Sequence, residues 1–313
     1  MKVISRIEEN KIANVYIGEN SDGKLFEFVE SVQPPLNISD KWVLIISTLY
    51  GCPVNCLFCD AGGNYKGILS YEEIMFQIDF LIKQRFSDKI VNSKKFKIQF
   101  SRMGEPSFNK NVLRVLNNIP QKYSFENFIP SLSSVAPTGT DNFFEELLEI
   151  KKRYYNNSFQ LQFSLHSTDK EQRDKLVPIK KWDFEKIAEF GNRFCKKDSK
   201  KITLNFALSE ENIMDINVLK KYFNPDVFLI KITPVNPTFK AIENKINSLI
   251  KPEINNYAVI DNLKKAGYEV ILSIGDLEEN KIGSNCGQYI TALKNNKESL
   301  EEGYTYKVEE IYI

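Results

Sequence analysis

The sequence predicts an α/β protein: a partial (βα)6 TIM-like barrel of parallel strands with a small N-terminal β cap and a C-terminal extension. Two observations predict this fold class. From Trp42 onward, short β-prone runs alternate with helical stretches, which is typical of a parallel sheet with right-handed crossovers. Three cysteines directly follow the first of these strands, at the end where such barrels carry their chemistry. A flat, doubly wound sheet is the alternative.

The chain divides into three predicted segments. Residues 1–40 form a small β-rich cap, because short β-prone runs alternate there with turn-forming residues and end at Pro34-Pro35. Residues 41–250 form the barrel core. Residues 251–313 add a helix, a strand and the loop that carries Cys286.

The core segment and the residues after it carry the predicted βα units. The predicted strands are Trp42–Ser47, Phe96–Ser101, Phe128–Ser133, Phe159–Leu165, Ile202–Leu208 and Val227–Thr233. The predicted helices are Tyr71–Arg85, Lys110–Asn118, Asn142–Tyr154, Phe184–Lys196, Ile213–Tyr222 and Glu253–Ala266. The first helix has the clearest start signal, because Ser70 and Glu73 form a capping box and apolar residues then recur at helical spacing.

The strand that leads to His166 shows how the two faces of the sheet differ. Apolar and polar residues alternate from Phe159 to His166, so one face packs on the helices and the other lines the interior. A polar interior suits a polar ligand better than a packed core. The position of His166 beside Ser164, at a strand end, favours ligand contact over a structural role for this histidine.

Cys52, Cys56 and Cys59 have the spacing C-x3-C-x2-C. Thiolates are soft ligands that suit iron–sulfur clusters, and a cubane cluster held by four cysteines has every iron saturated. Three neighbouring cysteines therefore leave one iron open to a small molecule. The alternative is a zinc site, but zinc prefers four protein ligands, usually in paired C-x2-C units, and no fourth ligand lies nearby in the sequence.

The composition is that of an ordinary globular protein. The chain has 313 residues, of which 42% are hydrophobic and 27% charged, with a net charge of +1. A nucleic-acid coat protein would be strongly basic. No apolar run is long enough to cross a bilayer, and no signal peptide is apparent. The chain has five cysteines, an odd number, and three are clustered, so we expect a reducing cytoplasm rather than a disulfide framework.

Several short motifs follow the predicted strands in a fixed order. They are Gly104-Glu105-Pro106, Ser131–Pro137, Ser164-Leu165-His166, Arg173–Ile179, Pro234–Pro237 and Asn285–Gln288. With the cysteine spacing and the aromatic Phe58 before the third cysteine, this order resembles the radical S-adenosylmethionine (SAM) superfamily. Within it, the motifs resemble the ribosomal RNA adenine methyltransferases RlmN and Cfr. The resemblance covers roughly residues 42–290.

The resemblance implies the cofactors and a role for each matching residue. Cys52, Cys56 and Cys59 would bind a [4Fe–4S] cluster whose open iron chelates SAM. An external one-electron reductant of the flavodoxin or ferredoxin type would supply the electron that cleaves SAM to a 5′-deoxyadenosyl radical. Gly104 and Glu105 would meet the amino end of SAM. The residues implied to hold its carboxylate, ribose and adenine are Ser133 or Ser131, Ser164, His166 and Asn236.

Cys286 matches the cysteine that, in this branch, first takes a methyl group from one SAM. The radical from a second SAM then abstracts hydrogen from the S-methyl group, and the carbon radical adds to an electron-poor adenine carbon. The neighbours of Cys286 are loop formers, which favours an accessible thiol over an inert buried one. The predicted acceptor is an sp2 carbon of RNA, of a nucleotide or of a small heteroaromatic molecule.

The sequence departs from this branch in two places. Ile45 stands where the family has a second catalytic cysteine, and only about forty residues precede the first core strand, where the family has an RNA-binding domain. Cys195, on a predicted helix, is interpreted as a small hydrophobic residue. Two other functions therefore stay open. One is a radical SAM enzyme that acts directly on a small molecule or peptide without methyl transfer. The other is a non-catalytic iron–sulfur or zinc protein.

Overall fold

The structure is a computed structural model. It describes residues 1–9, 12–32, 36–251, 253–254, 256–275, 277–286, 288–294, 300 and 303–311. The predicted end of the cap at Pro34-Pro35 and the Gly287 position of the last motif lie outside the described residues. Among the residues described, no helix has both the length and the apolar character that a bilayer span requires.

Strands and helices alternate through most of the chain. The strands are β1 (Lys2–Glu9), β2 (Ala13–Glu19), β3 (Leu25–Ser31), β4 (Trp42–Ile46), β5 (Ile90–Val91), β6 (Phe96–Phe100), β7 (Ser124–Phe125), β8 (Phe128–Ser134), β9 (Gln160–Ser164), β10 (Ile202–Ala207), β11 (Phe228–Thr233), β12 (Val270–Leu272) and β13 (Glu309–Glu310). The α-helices are α1 (Tyr71–Arg85), α2 (Asn111–Lys122), α3 (Asp141–Ile150), α4 (Lys170–Leu176), α5 (Phe184–Phe194), α6 (Ile216–Tyr222), α7 (Phe239–Glu243), α8 (Ala258–Lys265), α9 (Leu277–Lys281) and α10 (Tyr289–Lys294). A 3-10 turn spans Pro106–Phe108, and a π-helical turn, Lys151–Tyr155, continues α3.

The main sheet has the strand order β12-β11-β10-β9-β8-β6-β4-β3-β2-β1-β13. From β4 to β12 every pairing is parallel, and each strand lies beside its predecessor in the chain, apart from the short β5 and β7. A doubly wound sheet requires a point where this order reverses, and the order has none. Right-handed crossovers then place the connecting helices on one face of the sheet, as in a barrel. The predicted α/β class with a mainly parallel sheet is confirmed.

The parallel sheet curls. Strands β4 and β11 are five steps apart, which in a flat sheet would be about 24 Å. Nevertheless, Lys231, in β11, is near enough to Lys41, immediately before β4, for its positive charge to help lower the pKa of Lys41, after burial. The loops after the two strands also meet, because the Thr238 hydroxyl donates to the carbonyl of Phe58 at 2.9 Å. The face opposite the helices, here called the inner face, is therefore concave.

The N-terminal strands extend the parallel sheet. β3 pairs antiparallel with β4, so that Val29 lies opposite Ile45, and one hydrogen-bonded sheet runs from the cap into the core. Helix α1 packs across the junction, where the rings of Tyr16 and Phe80 meet edge to face with centroids 5.3 Å apart. The division near residue 40 is thus a change of strand direction within one sheet.

Helix α1 illustrates how local sequence sets the frame of the site. Ser70 accepts a hydrogen bond from the N–H of Glu73 at 3.1 Å, and Glu73 accepts one from the N–H of Ser70 at 2.7 Å, which is the predicted capping box. Ile78 on its buried stripe has no exposed surface. Full burial of such a side chain stabilises the fold by about 1.5–3 kcal/mol. This helix fixes the exit of the loop that carries the cysteines.

Two predicted helices start later than expected, and one strand adds to the predicted sheet. α6 begins at Ile216 because the Asp215 side chain accepts from the N–H of Asn217 and caps the helix there. α8 begins at Ala258 rather than at Glu253. The C-terminal strand β12 pairs parallel with β11 and so extends the sheet beyond the six predicted core strands. The remaining predicted core elements agree with the structure to within a few residues.

Candidate functional site

The three cysteines lie on a tight loop between β4 and α1. Gly51 has φ +75°, and a Cβ there would lie 2.7 Å from the carbonyl oxygens of Gly63 and Asn64, so only glycine fits. Cys52 forms bridge pairings with Gly62 and Gly63. The loop therefore folds back on itself at the carboxyl end of β4, where the sequence predicts the chemistry.

The three thiols share one small, partly buried space. Burial raises the pKa of Cys52 to about 11 and that of Cys59 to about 12, and it raises the pKa of Cys56 well above its usual value. Each thiolate would also raise the pKa of its neighbours, so the sulfurs lie close together. The backbone N–H groups of Val54 and Glu105 oppose the rise in the pKa of Cys52. Three thiolates in such a space need a strongly positive partner.

The spacing of the thiols does not suit a single ion. Among the described residues, no three side chains of His, Cys, Asp or Glu are placed to share one metal ion. A zinc site brings its ligands to within bonding distance of one centre, whereas the ligands of a cubane cluster bind different iron atoms and stand farther apart. Three thiols on one loop can each bind a different iron atom of a cluster.

Glu105 joins the loop after β6 to the end of β8. Its carboxylate accepts from the Ser107 hydroxyl at 2.6 Å, from the Ser134 hydroxyl at 2.6 Å and from the N–H of Val135 at 2.9 Å. Burial raises the pKa of Glu105, while these hydrogen bonds oppose the rise. The carboxylate lies near enough to Cys52 to act on its thiol. Its predicted contact with the amino end of SAM would have to use the remaining lone pairs.

The neighbouring glycine, Gly104, makes this arrangement possible. Gly104 has φ +101°, and a Cβ there would lie 2.4 Å from the side chain of Leu49. A larger residue would push the loop after β6 away from the loop after β4. Ser134, which holds Glu105, was not among the predicted site residues. The run of serines at 131, 133 and 134 left the register of β8 undetermined, and the structure resolves it.

The predicted serines lie on the inner face. Ser131 pairs with Gln99 and Gln160, and Ser133 pairs with Gln162, so both share the face of these partly buried amides. Ser164, two residues after Gln162 in β9, pairs with Asn205 of β10. The buried Oδ1 of Asn205 has no hydrogen-bond partner among the described residues. An orphaned acceptor beside Ser164 is a feature that a polar ligand would satisfy.

His166 lies beside the cysteine loop. Its ring meets the ring of Phe58 edge to face, with centroids 4.7 Å apart. Nδ1 accepts a hydrogen bond from the N–H of Ala207 at 3.1 Å, which places the proton of the neutral ring on Nε2. Burial, with Arg173 adding to it, lowers the pKa of His166 to about 3. The backbone at His166 has φ +64°, an uncommon conformation that holds the ring in this position.

Arg173 is a site residue that the sequence analysis did not single out. Its guanidinium is buried and donates from Nη1 to the carbonyl of Trp182 at 2.7 Å. Within the described residues, its Nε and Nη2 find no acceptor. The motif Arg173–Ile179 gave the only sequence signal. A buried guanidinium with unused donors is suited to an anionic or carbonyl group of a ligand.

Cys286 joins the same space from the C-terminal segment. Asn236 lines the same cleft as Cys286, and the Cys286 thiolate would raise the pKa of Cys59, so all three residues are neighbours. Burial raises the pKa of Cys286, with Asn236 opposing the rise. The residue is nevertheless open to solvent. Cys286 thus lines a cleft that protein surrounds on most sides. The structure brings together Cys286, Asn236 and the cysteine loop.

Two buried interactions fix the Cys286 segment. Arg102 donates to the carbonyl of Asn285 at 3.0 Å and forms an ion pair with Glu27. Asp60, next to the third cluster cysteine, accepts from the Tyr304 hydroxyl and from the N–H of Phe239. None of these positioning residues was predicted, because each one acts through sequence separations that a local pattern does not reveal.

The other two residues discussed in the sequence analysis lie apart from Cys286. Cys195 caps the carboxyl end of α5, and its sulfur faces the carbonyls of Lys196 and Lys200 at 3.9 and 3.7 Å. Ile45 is partly buried in β4, opposite Gln99, on the inner face. The inner face thus has an aliphatic side chain where the RlmN and Cfr branch has a cysteine.

The residues present fit a cubane cluster and a polar cofactor beside it. Three thiols on one loop can ligate the cluster, and the orphaned polar atoms of Asn205 and Arg173 can meet the cofactor. A curved parallel sheet with such a loop at the carboxyl end of its first strand is the architecture of radical SAM enzymes.

Comparisons with known proteins point to the same class. No protein-family model matches the chain. A protein of Thermotoga petrophila named "Probable dual-specificity RNA methyltransferase RlmN" is 28% identical over 251 residues, which are 77% of this chain and 66% of that protein. Proteins of the same name from Petrotoga mobilis and Chlorobium phaeobacteroides are 27% identical over 260 residues and 28% identical over 282 residues. These matches cover 80% and 87% of this chain, and 68% and 73% of those proteins.

The chain spans about two thirds of the length of the Thermotoga relative. The crystal structure of a radical SAM methyltransferase from Sphaerobacter thermophilus superposes with a TM-score of 0.64 at 16% identity, over 91% of this chain and 80% of that one. At this identity the likeness concerns the fold. The resemblance to RlmN-type radical SAM methyltransferases is confirmed.

Proposed function

We propose that the chain is a radical SAM methyltransferase of the RlmN type that uses Cys286 as its methyl carrier. The observation that carries this proposal is the position of Cys286. Cys286 lies near Cys59 of the cysteine loop and lines one cleft with Asn236. A methyl carrier has to reach both the cofactor that donates the methyl group and the substrate that receives it.

The residues of the chain divide the work. Cys52, Cys56 and Cys59 would ligate a [4Fe–4S] cluster, and Gly104, Glu105, Ser131, Ser133, Ser164, His166 and Asn236 would hold SAM. When bound, the cluster supplies the electron for reductive cleavage of SAM, and a flavodoxin- or ferredoxin-type protein would deliver it. His166, kept neutral by burial, would donate a hydrogen bond from Nε2 without adding charge.

Cys286 would attack the methyl group of one SAM as the thiolate, releasing S-adenosylhomocysteine. Asn236 promotes this step, because its side chain favours the charged sulfur and opposes the effect of burial on the pKa of Cys286. The acceptor would be an sp2 carbon of RNA, of a nucleotide or of a small heteroaromatic molecule, and the reaction would take place in the cytoplasm.

The test is anaerobic reconstitution followed by incubation with SAM and a reductant. We expect about four iron and four sulfide per chain, release of 5′-deoxyadenosine, and one methyl group on Cys286 by intact-protein mass spectrometry. The variant Cys286→Ser should keep iron and 5′-deoxyadenosine formation and lose the methyl group. Zinc without iron, or no 5′-deoxyadenosine, would contradict the proposal.

One observation favours a second candidate, a radical SAM enzyme that acts directly on a small molecule or peptide. Ile45 supplies no second thiol on the inner face, and the RlmN and Cfr branch uses that thiol to resolve its covalent adduct. In this case 5′-deoxyadenosine would still form while Cys286 stays unmethylated after expression with ample SAM.

A further inference from the structure

Two lysines occupy the inner face of the sheet. Lys97 lies in β6, two residues before Gln99 and therefore on the same face. Lys231 lies in β11 and pairs with Asn205, which in turn pairs with Ser164 on β9. Barrel interiors of this type are normally filled by branched apolar side chains, so two lysines there require an explanation.

Neither lysine has a carboxylate partner. Among the described residues, no carboxylate lies within ion-pair distance of Lys97 or Lys231. Burial, together with the positive charges of Lys231 and Lys41, lowers the pKa of Lys97 to about 7. Burial also lowers the pKa of Lys231. Both side chains are partly buried, and an ammonium group that loses part of its hydration without a paired carboxylate is costly.

The surroundings point to an anionic ligand on this face. The Cys286 thiol and the Glu279 carboxylate lie near enough to act on Lys231, but no ion pair between Lys231 and Glu279 is formed in the described part of the chain. An anion between the two lysines would restore charge balance and stabilise their protonated forms. It would also lie on the side of the sheet that Cys286 faces.

We infer that the inner face binds a phosphate group of the substrate between Lys97 and Lys231. The inference rests on the proposed function, because it takes this face to be the one from which a substrate approaches Cys286. Phosphate suits the site because its several acceptor oxygens can meet two ammonium groups and the amide of Gln99 together. The phosphate belongs either to a free nucleotide or to an RNA strand, and both present the same chemistry.

The test compares binding of adenosine 5′-monophosphate with binding of adenosine by titration calorimetry, using the reconstituted protein. We expect the wild-type protein to bind the monophosphate about tenfold more tightly than the nucleoside. Lys97→Met and Lys231→Met should each remove most of this difference. The matched control is Lys264→Met, on the exposed side of α8, which should leave the difference intact. Equal affinity of the wild-type protein for both probes would overturn the inference.

A second measurement keeps the test independent of variant stability. Amine labelling of the wild-type protein, read by peptide mass spectrometry, should show Lys97 protected by adenosine monophosphate while Lys264 is labelled as before. A short RNA oligonucleotide with 5′-hydroxyl ends separates the sources. Displacement of the monophosphate by this RNA indicates a strand phosphate, and its failure to compete indicates a free nucleotide. Unprotected Lys97 with either probe would contradict the site.

The outcomes of the two proposals can be told apart. If 5′-deoxyadenosine forms and Cys286 is methylated, but the monophosphate and adenosine bind alike, the phosphate site fails and the proposed function stands. If the lysine variants abolish a real preference for the monophosphate while SAM is not cleaved, the proposed function fails and the phosphate site stands.

Discussion

The guanidinium of Arg102 and the carboxylate of Glu27 form an ion pair at 2.6 Å, and neither side chain is exposed to water. The same guanidinium donates to the carbonyls of Ser284 and Asn285 at 3.2 and 3.0 Å. These are the two residues before Cys286. One buried pair, formed between the N-terminal strands and the loop after β6, therefore holds the segment that presents the Cys286 thiol.

Variants of Arg102 and Glu27 should distinguish the contribution of this ion pair to protein stability from its role in positioning Cys286. Arg102→Met leaves the buried Glu27 carboxylate without its counter-charge, with the N–H of Ile290 as its remaining donor, so we expect the free energy of unfolding to fall by about 3–5 kcal/mol. The double variant Arg102→Met with Glu27→Leu removes both charges and should recover most of that loss. Chemical denaturation of the two variants measures the difference.

Methylation of Cys286 provides the second measurement for this pair. The double variant should bind iron and cleave SAM as the wild-type protein does, because the cysteine loop is intact. We expect its Cys286 methylation to fall at least tenfold, since the carbonyls of Ser284 and Asn285 lose their donor. Wild-type methylation in a stable double variant would show that Arg102 does not position Cys286.

Removal of a cluster cysteine should abolish cluster assembly. Cys52→Ala leaves two thiols on the loop, and we expect the chain to retain only a small fraction of its iron after anaerobic reconstitution. Cys195→Ala is the matched control, because its sulfur lies at the end of α5 and faces carbonyls instead of the cysteine loop. Colorimetric iron and sulfide assays measure both variants. Full iron content in Cys52→Ala would mean that another residue replaces the lost ligand.

Local patterns were sufficient to predict the fold and the cysteine loop. The capping box at Ser70 and the alternation from Phe159 to His166 depend on neighbours in sequence, and the structure reproduces the elements built on them. The antiparallel joining of β3 to β4 and the addition of β12 to β11 were not predicted. Strand pairing depends on contacts between distant residues, which a single sequence does not display.

In the candidate site, too, local motifs predict some residues, whereas contacts between distant residues determine others. Motifs singled out the three-cysteine loop, His166, Asn236 and Cys286 as candidates, whereas Glu27 and Asp60 were not singled out. Glu27 accepts a hydrogen bond from the N–H of Ile290, 263 residues away in the sequence, and Asp60 accepts one from the hydroxyl of Tyr304, 244 residues away. Residues that position others carry no motif of their own, so only the fold identifies them.

His166 should remain neutral across the physiological pH range. Its pKa is lowered to about 3, mainly by burial, so the folded protein does not protonate it between pH 8 and pH 5. The chain has one histidine, so its ring protons give a single assignable set of nuclear magnetic resonance signals. We expect these signals not to move over that range. A titration with a midpoint near 6.5 would show that the ring is accessible to water.

The same lowered pKa predicts an effect on stability. Below its usual pKa of 6.5, His166 is protonated in the unfolded chain but not in the folded one. The unfolded state therefore binds more protons, and stability falls as the pH decreases from about 6.5 toward 3. His166→Asn should reduce this acid sensitivity, because asparagine has no proton to gain and tolerates a positive φ. Denaturation curves at pH 5 and pH 8 compare the two proteins.

Lys97 should lower the free energy of unfolding at neutral and lower pH. Its pKa is lowered from 10.5 to about 7, so the unfolded chain binds more protons between these values and stability rises with pH across that window. Lys97→Met removes the penalty, and we expect a gain of roughly 1–2 kcal/mol at pH 6, discounted for partial exposure. The gain should shrink as the pH approaches 10.5. Thermal denaturation at pH 6 and pH 9 measures it, with Lys264→Met as the control that should show no such trend.

Variants at position 45 test how the chain would release a substrate that is covalently bound to Cys286. Ile45 faces the inner face in the middle of β4, opposite Gln99. Ile45→Cys places a thiol where the RlmN and Cfr branch has one, at a cost of about 1–2 kcal/mol from the lost aliphatic volume. With a short adenine-containing RNA as the acceptor, we expect more methylated product and less RNA bound to Cys286 than in the wild-type protein. Ile45→Ser changes the volume and polarity similarly without supplying a thiol, so it should not show this shift. Because the two variants differ in one atom, equal behaviour would mean that a thiol at this position takes no part in release and that the chain frees its product by another route.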